Sequence, residues 1–336
     1  MFGFLEKKIR TVKVQWHMGC VSSKVPDIIG EGYRLKVKKT VAVGGSAKIM
    51  EVDPGGGKAT MIVKKIVAFN RREKERVKLE AELYRKLEDN QFVIDLVAHI
   101  TEDVNHYFLF ERFPINFADY LESLRKEETV DELKHLKYFS GLVSAIEQLH
   151  SYGYSHMDLK PANILKNDDV IKLIDFGSAT KMLLQIESSA DHHKYREEAE
   201  ERCSMMYRAP ELFSCDIGST LTTAVDVWSL GVCLYDFMYL ENPFDKVYEQ
   251  GGSIALATQS PQMIKWDGKS VSKKTVDLIK SLMVVEPENR PSAEELRKKM
   301  EDLVKNWGKP EEPGANETPI RELTDEEFDR AMRETT

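Results

Sequence analysis

Hydrophobic and polar residues alternate with the period of a β-strand along the first third of the chain. The alternation runs from Tyr33 to Val52 and again from Thr60 to Ile66, and the turn Asp53-Pro-Gly-Gly-Gly57 separates the two runs. A turn between two alternating runs predicts a β-hairpin. A shorter apolar run from Tyr107 to Phe113, which ends at a Pro-Ile-Asn break, predicts a further strand.

Helical spacing replaces this alternation in most of the remaining chain. Apolar residues recur at helical intervals from Lys74 to Leu87, and they form one stripe from Asp131 to His150, where Gly153 follows as a stop signal. The most apolar long stretch, Val225 to Leu240, contains two aspartates and is too short to cross a bilayer, so it predicts a buried core helix. Because strands precede helices, the pattern predicts an α+β fold with two lobes.

Charge and composition narrow the function classes. The 336 residues carry a formal net charge of −8, which argues against broad nucleic-acid binding because such binding relies on excess lysine and arginine. The four cysteines show no metal-ligand spacing, so a reducing, cytoplasmic compartment is expected. Residues 1–30 form a basic, unpatterned leader without a secretory signal, and residues 306–336 form an acidic tail. The basic run Arg71 to Lys78 is interpreted as the solvated start of a helix, with a basic docking face as the alternative.

Two short motifs carry the chemistry, His156-Met-Asp-Leu-Lys-Pro-Ala-Asn163 and Ile171-Lys-Leu-Ile-Asp-Phe-Gly177. Phosphoryl transfer needs an oriented acceptor hydroxyl, magnesium across the phosphates and a cation against the developing charge. Asp158 can orient the hydroxyl and accept its proton, and Lys160 can reach the γ-phosphate. Asn163 and Asp175 supply the oxygen ligands that Mg²⁺ prefers.

On these motifs the chain resembles the eukaryotic protein kinases from about Tyr33 to Val304. The resemblance implies a kinase domain at residues 31–305. Its small N-lobe, about residues 31–111, would be a mainly antiparallel β-sheet with one helix, and its larger C-lobe, about residues 112–305, would be helical. The resemblance also implies ATP and Mg²⁺ as cofactors and proteins as substrates.

The resemblance further locates nucleotide-binding residues. Lys64 resembles the strand lysine that holds the α- and β-phosphates, and Lys65 is its rival because alternation points neighbours to opposite faces. Glu80 matches the helical partner of that lysine, with Glu82 as the alternative. Phe110 resembles the gatekeeper, followed by an adenine-binding hinge. The remaining residues predicted around the nucleotide are Glu111 and Phe113 of the hinge, with Ala42, Gly44, Gly45, Ile49, Ile62 and Leu165.

The glycine-rich loop departs from the family pattern. Ala42 and Ala47 stand where glycines often occur, and only Gly44 of the three glycines is kept. Backbone amides still cradle phosphate if the turn forms, so an altered ATP affinity is expected rather than its loss. The glycines at 55–57, followed by Lys58, lack the Ser/Thr of a P-loop, and a hairpin turn explains them.

A second departure concerns regulation. Met157 stands where the family usually has an arginine that binds an activation-loop phosphate, so the chain is expected to be active without that phosphate. The competing interpretation is a non-catalytic, kinase-shaped scaffold. A small-molecule kinase is a third option, which the segment Ala209-Pro-Glu211 disfavours.

Other matched residues select the acceptor or support the fold. Lys160 resembles the serine/threonine branch of the kinases, and Ser204 resembles the hydroxyl residue that bridges Asp158 and Lys160. Arg290 is the expected buried partner of Glu211. Asp226 is expected to brace the catalytic loop.

Residues 201–213, 242–251 and 253–257 resemble a narrower group, the Numb-associated kinase family, and within it the small serine/threonine kinases that carry myristoyl and palmitoyl groups. That family has a long activation segment with an extra helix. Here the segment from Ser178 to Arg208 is long, and Asp191 to Glu201 is rich in helix-forming residues. Relatives of this type work around the Golgi and in vesicle traffic.

On this second resemblance, the segment Met18-Gly-Cys-Val-Ser-Ser-Lys24 is interpreted as a lipidation motif. If translation began at Met18, Gly19 could be myristoylated and Cys20 palmitoylated, and two acyl chains anchor a protein stably to a membrane surface. Gly19 cannot be acylated while residues 1–17 precede it. A shorter isoform, a start placed too early and a coincidental match are the three explanations. The sequence does not indicate an oligomeric state.

Overall fold

The computed structural model describes residues 11–13, 28–30, 33–44, 47–261, 264–266 and 271–309. The strands in its N-terminal part are β1 (Thr11–Lys13), β2 (Ile28–Gly30), β3 (Tyr33–Val43), β4 (Ala47–Asp53), β5 (Met61–Val67), β6 (Leu96–Glu102) and β7 (Asn105–Glu111). Within the described residues they form one seven-stranded sheet in the order β1-β6-β7-β5-β4-β3-β2. All neighbours are antiparallel except β1, which pairs with β6 in parallel.

The two faces of this sheet have different neighbours. One face carries a small apolar cluster that includes Leu35, Val63 and Leu109. Lys64 follows Val63 in β5 and is paired in register with Phe108 of β7. Because side chains alternate along a strand, Lys64 points to the opposite face. Helix α1 (Arg71–Lys86) lies against that face.

A capping box fixes the start of α1. The side chain of Asn70 accepts a hydrogen bond from the amide of Glu73 at 2.9 Å, and the Glu73 carboxylate accepts one from the amide of Asn70 at 3.2 Å. These bonds satisfy amides that a helix N-terminus otherwise leaves unpaired. The buried stripe of α1 contains one carboxylate, and its members are Val77, Glu80, Ala81, Leu83 and Tyr84.

The C-terminal part is mainly helical. Its helices are α2 (Phe117–Glu127), α3 (Glu132–Ser151), α4 (Ser189–Arg202), α5 (Glu211–Ser214), α6 (Ala224–Tyr239), α7 (Asp245–Glu249), α8 (Ile254–Thr258), α9 (Lys273–Leu282) and α10 (Ala293–Lys305). Short strands β8 (Ile115–Asn116), β9 (Tyr154–Ser155), β10 (Ile164–Asn167), β11 (Val170–Leu173), β12 (Thr180–Lys181), β13 (Leu184–Gln185) and β14 (Thr220–Leu221) connect them.

Helix α6 is the centre of this part. It is buried on every side because nearly all its residues are apolar, and Trp228 in its first half is fully buried. Gly231 lets α9 approach closely, since a Cβ at this position would lie 2.7 Å from the side chain of Met283, just beyond the end of α9. Among the described residues, no helix combines the length and apolarity needed to span a membrane.

The α+β arrangement, with an antiparallel sheet first and helices second, is confirmed. The predicted hairpin is present as β4 and β5, and the predicted core helix is α6. Helix α1 begins at Arg71, three residues before its predicted start, because Asn70 rather than an apolar residue defines that end.

The sequence interpretation was incomplete at three places. The leader is not wholly unpatterned, since residues 11–13 and 28–30 join the sheet. Strands of three residues are too short to show alternation. Strand β6 was not predicted because His99 interrupts its apolar pattern, although this histidine is 5% exposed. Helix α2 was not predicted either. Gly19, Cys20, Gly45 and residues 310–336 of the predicted tail lie outside the described residues.

Candidate active site

Lys64 of β5 lies between two carboxylates from distant parts of the chain. Its Nζ is 2.8 Å from Oε1 of Glu80 in α1 and 2.7 Å from Oδ1 of Asp175, which follows β11. All three were predicted as nucleotide-site residues, and the structure brings them together. The fold supplies the reason, because β5 turns Lys64 towards α1 and α1 carries Glu80 on its buried stripe.

The two rival residues lie elsewhere. Lys65 points to the other face of the sheet, where its Nζ is 5.5 Å from the centroid of the Tyr107 ring. Glu82 forms a surface ion pair with Lys86 at 3.5 Å. Neither side chain reaches Asp175, so the geometry favours Lys64 and Glu80 over the alternatives.

The charges of this cluster are strongly coupled. Burial lowers the pKa of Lys64, but the carboxylates of Glu80 and Asp175 outweigh that effect and the net shift is upward. Burial works against ionisation of Asp175, yet Lys64 holds the pKa of this carboxyl group below its ordinary value. Lys64 and Asp175 are therefore both charged at neutral pH. A fixed cation in a cleft is suited to phosphate oxygens.

Phe176, the residue after Asp175, packs against residues of both the N-terminal and the C-terminal part. Its side chain is 1% exposed, its ring meets the edge of Tyr84 at a centroid distance of 4.9 Å, and it lies 5.3 Å from the ring of His156. Asp175 itself has a φ of 68°, a conformation that residues with a side chain rarely adopt. Packing of Phe176 thus holds a strained turn that points the Asp175 side chain at Lys64.

The loop between β9 and β10 brings the predicted catalytic residues into one cluster. Nζ of Lys160 is 2.8 Å from Oδ2 of Asp158. The hydroxyl of Ser204 donates to Oδ1 of Asp158 at 2.7 Å and accepts from Lys160 at 2.7 Å. The side-chain Nδ2 of Asn163 donates to the backbone carbonyl and to the carboxylate of Asp158 at 2.8 and 3.0 Å. Asp158 therefore presents a carboxylate that already accepts a hydrogen bond from a serine hydroxyl.

Asp226 of α6 fixes the backbone of this loop from below. Its carboxylate accepts hydrogen bonds from the amides of His156 and Met157 at 2.7 and 3.0 Å, and it also pairs with Nε2 of His150 at 2.9 Å. Met157 has a φ of 71°, so these bonds hold a strained residue immediately before Asp158. The predicted bracing contact is present.

A cavity of about 490 Å³ separates the sheet from the catalytic loop. Apolar side chains and polar or charged side chains line it in similar numbers. The predicted residues that line it are Ala42, Ile49, Ile62, Lys64, Phe110, Glu111, Phe113, Asn163, Leu165 and Asp175. Of the other predicted residues, Gly44 closes a turn through a 2.8 Å bond from its amide to the carbonyl of Ala47, and Glu80 lies behind Lys64.

The segment between Asp175 and Glu211 carries helix α4 and ends at a buried ion pair. Arg290, whose side chain is fully buried, holds both carboxylate oxygens of Glu211 at 2.7 and 2.8 Å. The predicted extra helix is present, with bounds Ser189–Arg202. Its acidic residues pair with Arg72 and Arg76 of α1, so the interpretation of Arg71 to Lys78 as only a solvated helix start is wrong for these two arginines.

Comparison with known proteins decides the family. Residues 35–300 match the model of the protein kinase domain. This chain belongs to the protein kinase family. The kinase is 32% identical to mouse serine/threonine-protein kinase 16, over 90% of its own length and 99% of that relative. It is 27% identical to serine/threonine-protein kinase ppk13 of Schizosaccharomyces pombe, over 80% of its length and 90% of that relative. The family assignment from the motifs is thus confirmed.

These relationships make the kinase a serine/threonine protein kinase that uses ATP and Mg²⁺. Sequence reasoning did not predict two contacts around its site. The first is the hydroxyl of Tyr84, which accepts a hydrogen bond from the amide of Asp175. The second is the pairing of Arg76 with Glu201. A polar group on the buried stripe of α1 was a signal for the first, whereas the second joins residues with no local relation.

Proposed function

We propose that this kinase transfers the γ-phosphate of ATP to serine and threonine hydroxyls of proteins through Asp158, and that it does so without a phosphate on its activation segment. One observation carries the proposal. The Ser204 hydroxyl donates to Asp158 and accepts from Lys160, at 2.7 Å each. An acceptor hydroxyl at the same carboxylate would be oriented and relieved of its proton, while Lys160 faces the transferred group.

The opposite wall of the cavity is assigned to nucleotide binding. Lys64, held by Glu80, would contact the α- and β-phosphates, and the apolar residues Ile49, Ile62 and Leu165 would enclose the adenine. The hinge from Glu111 to Phe113 would supply backbone hydrogen bonds to the base. The glycine-rich loop, represented among the described residues by Gly44, would lie over the phosphates with fewer glycines than usual, which supports altered ATP affinity rather than its loss.

Asn163 and Asp175 are suited to hold Mg²⁺. Among the described residues, no three His, Cys, Asp or Glu side chains form a metal cluster by themselves. This fits Mg²⁺, which proteins usually bind through one or two side-chain oxygens together with substrate phosphates. The ion would neutralise phosphate charge in the cavity.

Independence from an activation-segment phosphate is supported at position 157. Met157 is 8% exposed and packs in the core, so this position offers no cation for a phosphate. Treatment of the pure protein with a phosphatase, followed by its removal, tests this step. We expect the transfer rate to stay within about twofold of the untreated value, because Met157 offers no cation with which a phosphate on the activation segment could pair. A fall to a small fraction of that rate, restored on rephosphorylation, would contradict it.

We also propose a membrane-associated form at Golgi or vesicle membranes, in which translation from Met18 exposes Gly19 for myristate and Cys20 for palmitate. Sequence supplies the support, together with similarity to serine/threonine-protein kinase 16 over 99% of that relative. Mass spectrometry of the native N-terminus tests it. Detection of a myristoylated Gly19 is expected, and an unmodified Met1 in every species would contradict it.

The domain boundaries 31–305 are likewise proposed, supported by the match at 35–300.

The scaffold alternative predicts nucleotide binding without transfer. Offering a serine peptide, its tyrosine counterpart and small hydroxyl metabolites in parallel separates the acceptor classes. Label on the serine peptide is expected. Label on metabolites alone would favour the small-molecule kinase.

A further inference from the structure

Two arginines of α1 reach the activation-segment helix α4. Nη1 and Nη2 of Arg76 lie 2.7 and 3.0 Å from the two carboxylate oxygens of Glu201, a bidentate pair. One turn earlier, Nη2 of Arg72 lies 2.9 Å from Oε1 of Glu198. Planar pairing of a guanidinium with a carboxylate is the strongest form of such contacts. Hydrogen bonds from Arg76 lower the pKa of Glu201 to about 2, so the pair stays ionised at physiological pH.

The pair joins two elements whose relative position decides the geometry of the site. Arg76 precedes Glu80 by four residues, so the two lie one turn apart on α1. Glu201 lies near the end of α4, three residues before Ser204, which contacts Asp158. A contact at Arg76 and Glu201 therefore couples the helix that holds Lys64 to the segment that contacts the catalytic loop.

Anionic groups on activation segments order those segments by pairing with arginines. In this chain, carboxylates of α4 already pair with two arginines of α1, Arg72 and Arg76. Position 157 offers no arginine of its own, and Arg202 at the end of α4 bonds to Thr180 of the same segment. The chain thus contains both the anion and its cationic partners.

We infer that Arg76 and Glu201, supported by Arg72 and Glu198, form a built-in ionic clamp that keeps α1 in the position where Glu80 holds Lys64, in place of an activation-segment phosphate. The inference rests on the proposed function. Arg76 and Glu201 are positioning residues, because they act through Glu80 and touch neither nucleotide nor acceptor. The clamp is half-exposed, with 24% of the Arg76 side chain and 52% of the Glu201 side chain accessible, so salt weakens it.

A double-mutant cycle on the phosphatase-treated full chain tests the clamp. Arg76→Gln and Glu201→Gln are each expected to lower kcat about fivefold, a size appropriate to a partly exposed pair. The double variant should lose far less than the product of the two single losses, because without Arg76 the Glu201 carboxylate keeps only the longer contact with Arg72 at 3.7 Å. Arg76→Lys, which keeps the charge but not the fork, should recover part of the rate. Raising NaCl to about 0.5 M should slow the parental protein and leave the double variant unchanged.

A matched pair serves as control. Arg297 of α10 and Glu147 of α3 lie 2.7 Å apart with 29% and 26% of their side chains accessible, far in the chain from α1 and α4. Replacing either Arg297 or Glu147 with Gln should leave kcat unchanged. Single clamp variants with the parental kcat, or a double variant whose loss is the product of the two single losses, would overturn the clamp.

Hydrogen exchange separates the clamp from the proposed function. The amides of residues 77–84 should exchange faster in either single clamp variant than in the parental protein, without any need for catalysis. Unchanged exchange would count against the clamp. A parental protein that transfers no phosphate would instead contradict the proposed function, and the exchange data would still decide the clamp.

Discussion

The hydroxyl of Tyr84 accepts a hydrogen bond from the backbone amide of Asp175 at 2.9 Å. Tyr84 is 2% exposed and stands on the buried stripe of α1, four residues after Glu80. One helix therefore holds both ends of the Lys64 cluster, since Glu80 binds the lysine and Tyr84 fixes the backbone of the aspartate. The edge contact of the Tyr84 ring with Phe176 strengthens the same link.

Tyr84→Phe should separate the hydrogen bond from the ring contact. Removing the hydroxyl leaves the amide of Asp175 without this acceptor, which costs about 1 kcal/mol or more when the group is buried. We expect kcat to fall about fivefold for a cost of that size, with the melting temperature slightly lowered. Tyr152→Phe is the control, because that hydroxyl binds the carbonyl of Lys86 at an exposed position. Equal kinetics of the Tyr84 variant and the parental kinase would show that the bond does not position Asp175.

Acid should destabilise the N-terminal sheet through His99. Burial, followed by the nearby His106 and Arg85, lowers the pKa of His99 to about 4 from an ordinary 6.5. On acidification, His99 is therefore protonated in the unfolded chain before it is protonated in the folded chain. The contribution of this group to the free energy of unfolding is fully present above pH 6.5 and is lost as the pH falls towards 4. At pH 5 the loss from this group is about 2 kcal/mol.

Urea unfolding at pH 7.5 and pH 5 measures this effect. His99→Phe keeps an aromatic ring against Phe108, with which His99 stacks at 4.5 Å, and should reduce the loss of unfolding free energy between the two pH values. Burial also lowers the pKa of His106, so part of the acid loss should remain. Replacement of the exposed His193 by Gln should not change the loss. A variant of His99 with the parental pH dependence would disprove the assignment.

The ion pair of Arg290 and Glu211 should matter more for folding than any surface pair. Arg290 also donates to the carbonyls of Val284, Ala224 and Val285, at 2.7 to 2.9 Å, so its removal leaves a carboxylate and several carbonyls unpaired. Arg290→Met is expected to destabilise the kinase by about 3–5 kcal/mol.

Thermal denaturation of two variants compares this pair with an exposed one. Lys298→Met breaks the exposed contact with Glu294 at 2.6 Å and should leave the melting temperature unchanged. Similar decreases in the melting temperature of the two variants would mean that burial of the Arg290 ion pair contributes little to stability.

Much of the site could be predicted because its chemistry is local in sequence. Asp158, Lys160 and Asn163 stand within six residues. Alternation along a strand allows only one of Lys64 and Lys65 to face the site, and the family resemblance favoured Lys64. The contact between Arg76 and Glu201 could not be predicted, since 125 residues separate them and nothing in either helix specifies the other. The hydroxyl of Tyr84 on the buried stripe of α1 indicated a polar partner, but tertiary packing decides that this partner is the amide of Asp175.

The fold shows the same division. Strands β4 and β5 show clear alternation and helix α6 is almost entirely apolar, so these elements were predicted, whereas β6 was not. Its buried His99 is compatible with the core only because it stacks on Phe108 and lies 3.3 Å from His106. Those partners come from β7, so the sequence of β6 by itself does not show that the histidine is buried.

The most direct test of the proposed catalytic role is transfer of labelled γ-phosphate from Mg-ATP to the kinase itself and to a generic basic protein. The comparison variant is Asp158→Asn, which keeps the shape of the side chain but removes the base. We predict label on serine or threonine with the parental protein, and a loss of about 100- to 10,000-fold in the variant with ATP binding retained. Transfer by the variant at the parental rate would contradict the role of Asp158, and ATP binding without any transfer by the parental protein would favour the scaffold.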